Sequence, residues 1–198
     1  MILLASASPR RRDLLAAAGI AFEVLPADVD EAMRESEAPK AYVKRVAREK
    51  SYAALRPLLG GRGTLGAYTH VVAADTIVEL DGIVLHKPGS DANAVATLRA
   101  LAGREHLVRT AVSVICLTGH PTTGTAIEQN DEIVVTTRIR FRPYDEATIA
   151  RYVATGEPLD RAGAYAIQGG GMALVDRIVG SYTNVVGLPL RETLELLT

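Results

Sequence analysis

The 198-residue chain has a single cysteine, Cys116. That excludes an intrachain disulfide framework and a cysteine-rich zinc site. Its setting in the apolar run VSVIC reads as a buried small hydrophobe rather than a nucleophile. Histidine is also sparse. His70, His86, His106 and His120 are isolated from one another, with no HxH or HxxxH spacing, which argues against a histidine zinc site. Neither sign of charge dominates. The net charge of -1 gives no global basic field for wrapping nucleic acid, so any anion site must be local. No apolar stretch approaches the length of a membrane span. The N-terminal run Ile2–Ala5 is too short for a signal-peptide core and follows no basic segment. The expectation is a soluble cytoplasmic protein. Walker loops and kinase signatures are absent, as are internal repeats and low-complexity tracts.

What is present is a chain with 48% hydrophobic and 23% charged residues, enough for a sizeable core and read as one domain over 1–198. Its most informative stretch is SASPRRRDLL, Ser6 to Leu15. A short apolar strand ends there and a helix begins. Ser8 suits the N-cap and Pro9 the first helical position, where a missing N–H costs nothing. A helix start offers free N–H groups and the positive end of its dipole. With Ser6, Ser8 and Arg10 to Arg12 it makes a candidate phosphate site. Against this stands an ordinary capped helix with a solvated basic first turn. Arginines at a helix start oppose the dipole, however, and call for an external anion or a local acid.

Further along, Ala21–Pro26 alternates as a half-buried strand, and Asp28-Val29-Asp30-Glu31 forms an acidic loop. Pro39 to about Leu55 has helical spacing, with Val43, Val46, Ala47, Ala53 and Ala54 as its apolar stripe. Lys50 falls near the centre of that stripe, while Lys44, Arg45, Arg48 and Glu49 lie off it. A lysine on a buried face must snorkel out or meet an anion. Arg56–His70 reads as a loop. His70–Leu80 is a near-continuous apolar run, typical of a strand covered on both faces, and Asp75 interrupts it. A carboxylate there is costly unless paired, coordinated or opening into a cleft. Asp81-Gly82 signals a tight hairpin turn, Lys87 follows at a strand end, and Ser90 caps a helix to about Ala102.

His106–Leu117 and Glu132–Phe141 are long strands joined by a polar connection, Thr118–Asp131, as a hairpin. Ile133, Val135, Thr137, Ile139 and Phe141 share one face of the second strand. A helix over Pro143 to about Thr155 is followed by Gly169–Gly171, which suits a flexible loop or a close backbone approach to a ligand. Ala173–Ile178 is a short strand. Pro189 opens a last helix with Leu190, Leu194 and Leu197 inward. The exceptional residues form a set: Ser8, Arg10, Arg11, Glu31, Lys50, Asp75, Lys87 and Gln168. Several cations with two carboxylates are what phosphoryl chemistry needs, the cations for phosphates and the carboxylates for Mg²⁺ or for activating a water. A neutral amide beside glycines could read a base edge.

The motifs ASASPRRRDLL, DVDE, EKSYAA, AADTIV, HKPGS, GAYAIQGGG and GSYTNVVGLPL, in this order and over nearly the whole chain, resemble the Maf family of nucleoside triphosphate pyrophosphatases. The resemblance implies an α/β fold similar to the inosine triphosphate pyrophosphatase type, with a mixed elongated central sheet and flanking helices in two lobes around a cleft. It implies Mg²⁺- or Mn²⁺-dependent hydrolysis between the α- and β-phosphates of a nucleoside triphosphate. By motif, Asp75 would activate water, and Ser8, Arg10, Arg11, Lys50 and Lys87 would hold phosphates. Glu31, with Asp75, would support the metal. Arg10, Thr76 and Gln168 match the branch resembling dTTP/UTP pyrophosphatases. A homodimer is the family's expectation; the near-neutral net charge argues against a stable nucleic-acid partner, and the lack of a spanning stretch against a membrane. Two other readings stand beside this one: a non-catalytic nucleotide-binding regulator of septum formation in cell division, and a purine-directed or broad housecleaning pyrophosphatase.

Overall fold

The continuous apolar run around Asp75 forms a strand packed on both faces. In the computed structural model, which describes residues 1–59, 68–120 and 124–198, seven strands form one mixed sheet. They are β1 (Ile2–Leu4), β2 (Phe22–Val24), β3 (His70–Leu80), β4 (Ile83–Leu85), β5 (Glu105–His120), β6 (Gly124–Phe141) and β7 (Val175–Val179). The order is β2-β1-β3-β5-β6-β7, with β4 also paired to β3. β1 runs parallel to both β2 and β3, whereas β4 on β3 and β7 on β6 are antiparallel. The helices are α1 (Pro9–Ala17), α2 (Pro39–Leu59), α3 (Asp91–Leu101), α4 (Glu146–Val153), α5 (Tyr182–Val186) and α6 (Leu190–Glu195).

The chain divides into two compact units. The first comprises Met1–Asp75, Thr110–Val134 and Gly187–Thr198. Strand alternation sorts its core into two layers. Leu3, Ala5, Val71, Ala73, Ile115 and Leu117 pack with Ala54, Leu55 and Leu58 of α2. Ile2, Leu4, Val72, Ala74, Val112 and Val114 pack with Leu15 of α1 and with Leu188. Burial on both faces is why these strands read as unbroken apolar runs rather than as alternation.

The second unit comprises Thr76–Arg109 and Val135–Val186. It holds the β3–β4 hairpin, whose Asp81 and Gly82 both have positive φ (51° and 81°), the geometry of a type I′ turn. Ser90 caps α3 by accepting from the Asn93 N–H, and Asp145 caps α4 by accepting from the Thr148 N–H. Its core includes an aromatic cluster of His106, Phe141 and Tyr165 with edge-to-face rings.

Several boundaries differ from the sequence reading. α2 continues through Pro57 to Leu59, and the rest of the predicted loop, 60–67, lies outside the described residues. The polar connection after Leu117 is mostly strand, because ladder pairing carries polar residues further than hydrophobicity indicates. α4 begins at Glu146 rather than Pro143, since the Asp145 carboxylate takes the cap. In α6 the buried residue is Thr193, whose hydroxyl donates to the Pro189 carbonyl, while the predicted leucines are half-buried. Cys116 is not buried. It faces outward on β5, with its thiol on the Glu128 carboxylate at 3.5 Å.

Candidate active site

The turn from β1 into α1 is built as the sequence indicates, with one change. Ser8 occupies the N-cap position before Pro9, but its side chain makes no capping bond. The buried Ser6 organises the turn instead. Its Oγ accepts from the Ser8 N–H at 3.3 Å and from Arg11 Nη1 at 3.0 Å. Arg11 is itself buried, and its Nε donates to the Gly187 carbonyl at 2.7 Å. Arg10 is half-buried, and Arg12 is exposed.

α2 and β3 supply the centre. On α2 the buried face is Val43, Val46, Ala47, Lys50, Ser51 and Ala54, so the lysine lies inside an apolar stripe. Its ammonium resolves the cost of burial by meeting two carboxylates. Nζ is 2.8 Å from Asp75 Oδ1 and 2.6 Å from Glu31 Oε1. Asp75 is 8% exposed. Arg11 belongs to the same neighbourhood. Burial pushes its pKa down, the Asp75 charge opposes that, Arg10 adds to it, and Glu31 opposes it again. Arg11 and Lys50 thus lie with Asp75 and Glu31, and Arg10 lies near Arg11.

The acidic loop carrying Glu31 is held by two α2 residues to which the sequence gives no role. The Tyr42 hydroxyl donates to the Glu31 carbonyl at 2.8 Å. Burial, then the charges of Asp75 and Glu31, raise the Tyr42 pKa. Arg45, placed off the apolar stripe by spacing, is buried at 6% exposure. It donates to the Ala32 carbonyl at 2.9 Å, to both Glu37 oxygens at 2.7 and 2.9 Å, and to Glu49 at 3.0 Å. Only the i,i+4 spacing of Arg45 to Glu49 was visible in the sequence; the Glu37 pairing depends on the loop's path.

Thr76, Lys87 and Gln168 belong to the second unit. Thr76 follows Asp75 on β3, so its side chain points to the opposite face, where it is half-buried. Lys87 is exposed and pairs with Asp160 at 2.9 Å. Gln168 is exposed in a turn after the 3-10 segment Ala162–Ala164.

Among the described residues no three His, Cys, Asp or Glu side chains gather as a metal site. The donors present still fit a hard divalent cation. Asp75 and Glu31 already converge on one positive charge. One or two carboxylates completed by water and phosphate oxygens are the usual protein share of a Mg²⁺ site.

The first unit therefore sets Arg11, at the start of α1, beside the buried Lys50 and Asp75 and the exposed Glu31. The chain belongs to the family described as Maf-like protein, whose model matches residues 1–198. A relative from Anaeromyxobacter sp. (strain Fw109-5) called dTTP/UTP pyrophosphatase is 50% identical, covering 99% of this chain and 87% of its own. One of the same name from Aliivibrio fischeri is 41% identical, covering 99% and 96%. A nucleoside triphosphate pyrophosphatase from Xylella fastidiosa is 43% identical, covering 100% and 97%. Among solved structures, the Staphylococcus aureus Ham1 protein aligns over 70% of this chain and 71% of its own, at TM-score 0.37 and 20% identity.

Proposed function

We propose that this chain is a nucleoside triphosphate pyrophosphatase that hydrolyses the α–β phosphate bond of dTTP, UTP and related pyrimidine nucleotides, modified ones included. The products are the nucleoside monophosphate and pyrophosphate. The observation that carries the reading is the Lys50 ammonium shared by Asp75 and Glu31 beside the buried Arg11. The printed activities of the relatives support the substrate class.

In this reading Ser8, Arg10 and Arg11 at the start of α1, with Lys50 and Lys87, take the phosphate oxygens, and charge-assisted bonds fix the triphosphate. Asp75 accepts the proton of the attacking water. The water oxygen bonds to the α-phosphorus as the bond to the bridging oxygen breaks. Pyrophosphate leaves with that electron pair, and the proton passes from Asp75 to solvent. Lys50 pairs with Asp75 until substrate arrives and then serves the developing charge on the phosphates. Asp75 and Glu31 would hold Mg²⁺ or Mn²⁺, which when bound neutralises phosphate charge and acidifies a water. By motif, Thr76, Gln168 and Arg10 take the choice of base. The protein works on free nucleotide in the cytoplasm as a homodimer, a state that light scattering reads directly.

The test is Asp75→Asn, which keeps the shape and removes the proton acceptor. We expect kcat for dTTP to fall about 10²–10⁴-fold with nucleotide binding retained. Hydrolysis at the parent rate would overturn the assignment of Asp75.

A further inference from the structure

The run Ala166-Ile167-Gln168-Gly169-Gly170-Gly171 is more constrained than three glycines imply. A turn is closed by the Gly169 N–H donating to the Ala166 carbonyl at 3.1 Å, with Gln168 at its third position. Both flanks of this turn are tied to α4 and to the 3-10 segment that follows it. On one side the Ala166 N–H donates to the Tyr152 hydroxyl at 3.0 Å. On the other, the Gly170 and Gly171 N–H groups donate to Glu157 Oε2 at 3.1 Å and Oε1 at 3.2 Å. The two anchors are joined, because the Tyr152 hydroxyl donates to Glu157 Oε1 at 2.5 Å. The glycines follow from this packing. A Cβ at Gly169 would lie 2.2 Å from Glu157 Oε2, and one at Gly171 would lie 2.7 Å from the Ala166 carbonyl and 2.8 Å from the Tyr152 hydroxyl. The triple glycine thus closely approaches the Glu157 carboxylate, the Tyr152 hydroxyl and the Ala166 carbonyl.

We propose that Glu157 and Tyr152 are positioning residues for nucleotide selection, holding Gln168 at the fixed point from which its amide reads the base. The inference rests on the reading of Gln168 given above. A carboxylate is needed at 157 because it accepts three hydrogen bonds and donates none. An amide of the same shape turns an NH₂ toward a glycine N–H or toward the tyrosine hydroxyl, so at least one bond is lost. Phenylalanine at 152 removes both the donor to Glu157 and the acceptor of the Ala166 N–H.

The experiment compares kcat/KM for dTTP, UTP, CTP and GTP in the parent and in Gln168→Ala, Glu157→Gln, Tyr152→Phe and Glu157→Asp, with thermal melting of each. Gln168→Ala sets the preference of an enzyme that has lost the reader. We expect Glu157→Gln to lose about tenfold of the preference for dTTP and UTP. The loss should appear in KM, with kcat for the best substrate within severalfold of the parent. Tyr152→Phe, whose isosteric ring keeps the core packed, should move the same way, and Glu157→Asp should restore part of the preference. If Gln168→Ala abolishes the preference while Glu157→Gln and Tyr152→Phe keep it, the positioning role is overturned and the base-reading role survives. If Gln168→Ala keeps the parent preference, the reading of Gln168 falls, and the positioning role falls with it.

Discussion

The ammonium of Lys50 lies between Glu31 and Asp75 on a helix face otherwise filled by Val43, Val46, Ala47 and Ala54. Burying Lys50 and Asp75 is tolerable only because each satisfies the other, and removing the lysine strands the buried carboxylate. Lys50→Ala should therefore destabilise the fold by about 3–5 kcal/mol, read by urea unfolding. Adding Asp75→Asn should cost less than the sum of the two single changes, because the stranded carboxylate is gone. Strict additivity would mean that the pair is uncoupled. The same logic explains what sequence could reveal at this scale. Asp75 and Lys50 were legible because each is a charge inside an apolar pattern, where only a partner makes it affordable. Arg45 was not, since its partners Glu37 and Ala32 come from a loop whose path no periodicity encodes. Cys116 misled for the opposite reason. It sits in an apolar run, yet β5 turns its thiol outward to Glu128.

α2 does more than pack. One face fills the core, its Lys50 enters the charged cluster, and Tyr42 and Arg45 at its start grip the loop that delivers Glu31. The Arg45 hydrogen bonds hold the Glu37 carboxyl far below its ordinary 4.5, at about 2. A carboxyl depressed on folding adds stability that is full above its unfolded value and lost as pH falls toward the folded one. The grip on residues 28–38 should thus hold at neutral pH and loosen as pH falls from about 4.5 toward 2. Hydrogen exchange of the loop amides would show this acid step, and Glu37→Gln should abolish it. An unchanged acid step in the variant would assign it to another group. Elements themselves were mostly readable. Asp81-Gly82 gave the hairpin and Ser90 gave the start of α3. The ends of α2, α4 and the β5–β6 pair shifted, because caps and ladder pairing, not hydrophobic period, decide where an element stops.

For the molecule as a whole, a net charge of -1 gives no global attraction for a polyanion, so any such attraction must be local. The order of motifs along the chain points to the Maf-like family, and the family match spans residues 1–198. What spacing did not reveal is the division of labour. Arg11 gives its Nε and Nη1 to Gly187 and Ser6, Ser6 rather than Ser8 ties the turn together, and the glycines answer to Glu157 and Tyr152. These depend on contacts between segments distant in sequence. The central claim is tested most directly by identifying the products of dTTP incubated with the protein and Mg²⁺. The account predicts thymidine monophosphate and pyrophosphate in equal amounts, with no turnover after chelation of the metal. Release of orthophosphate with thymidine diphosphate, or no turnover of any pyrimidine triphosphate, would contradict it.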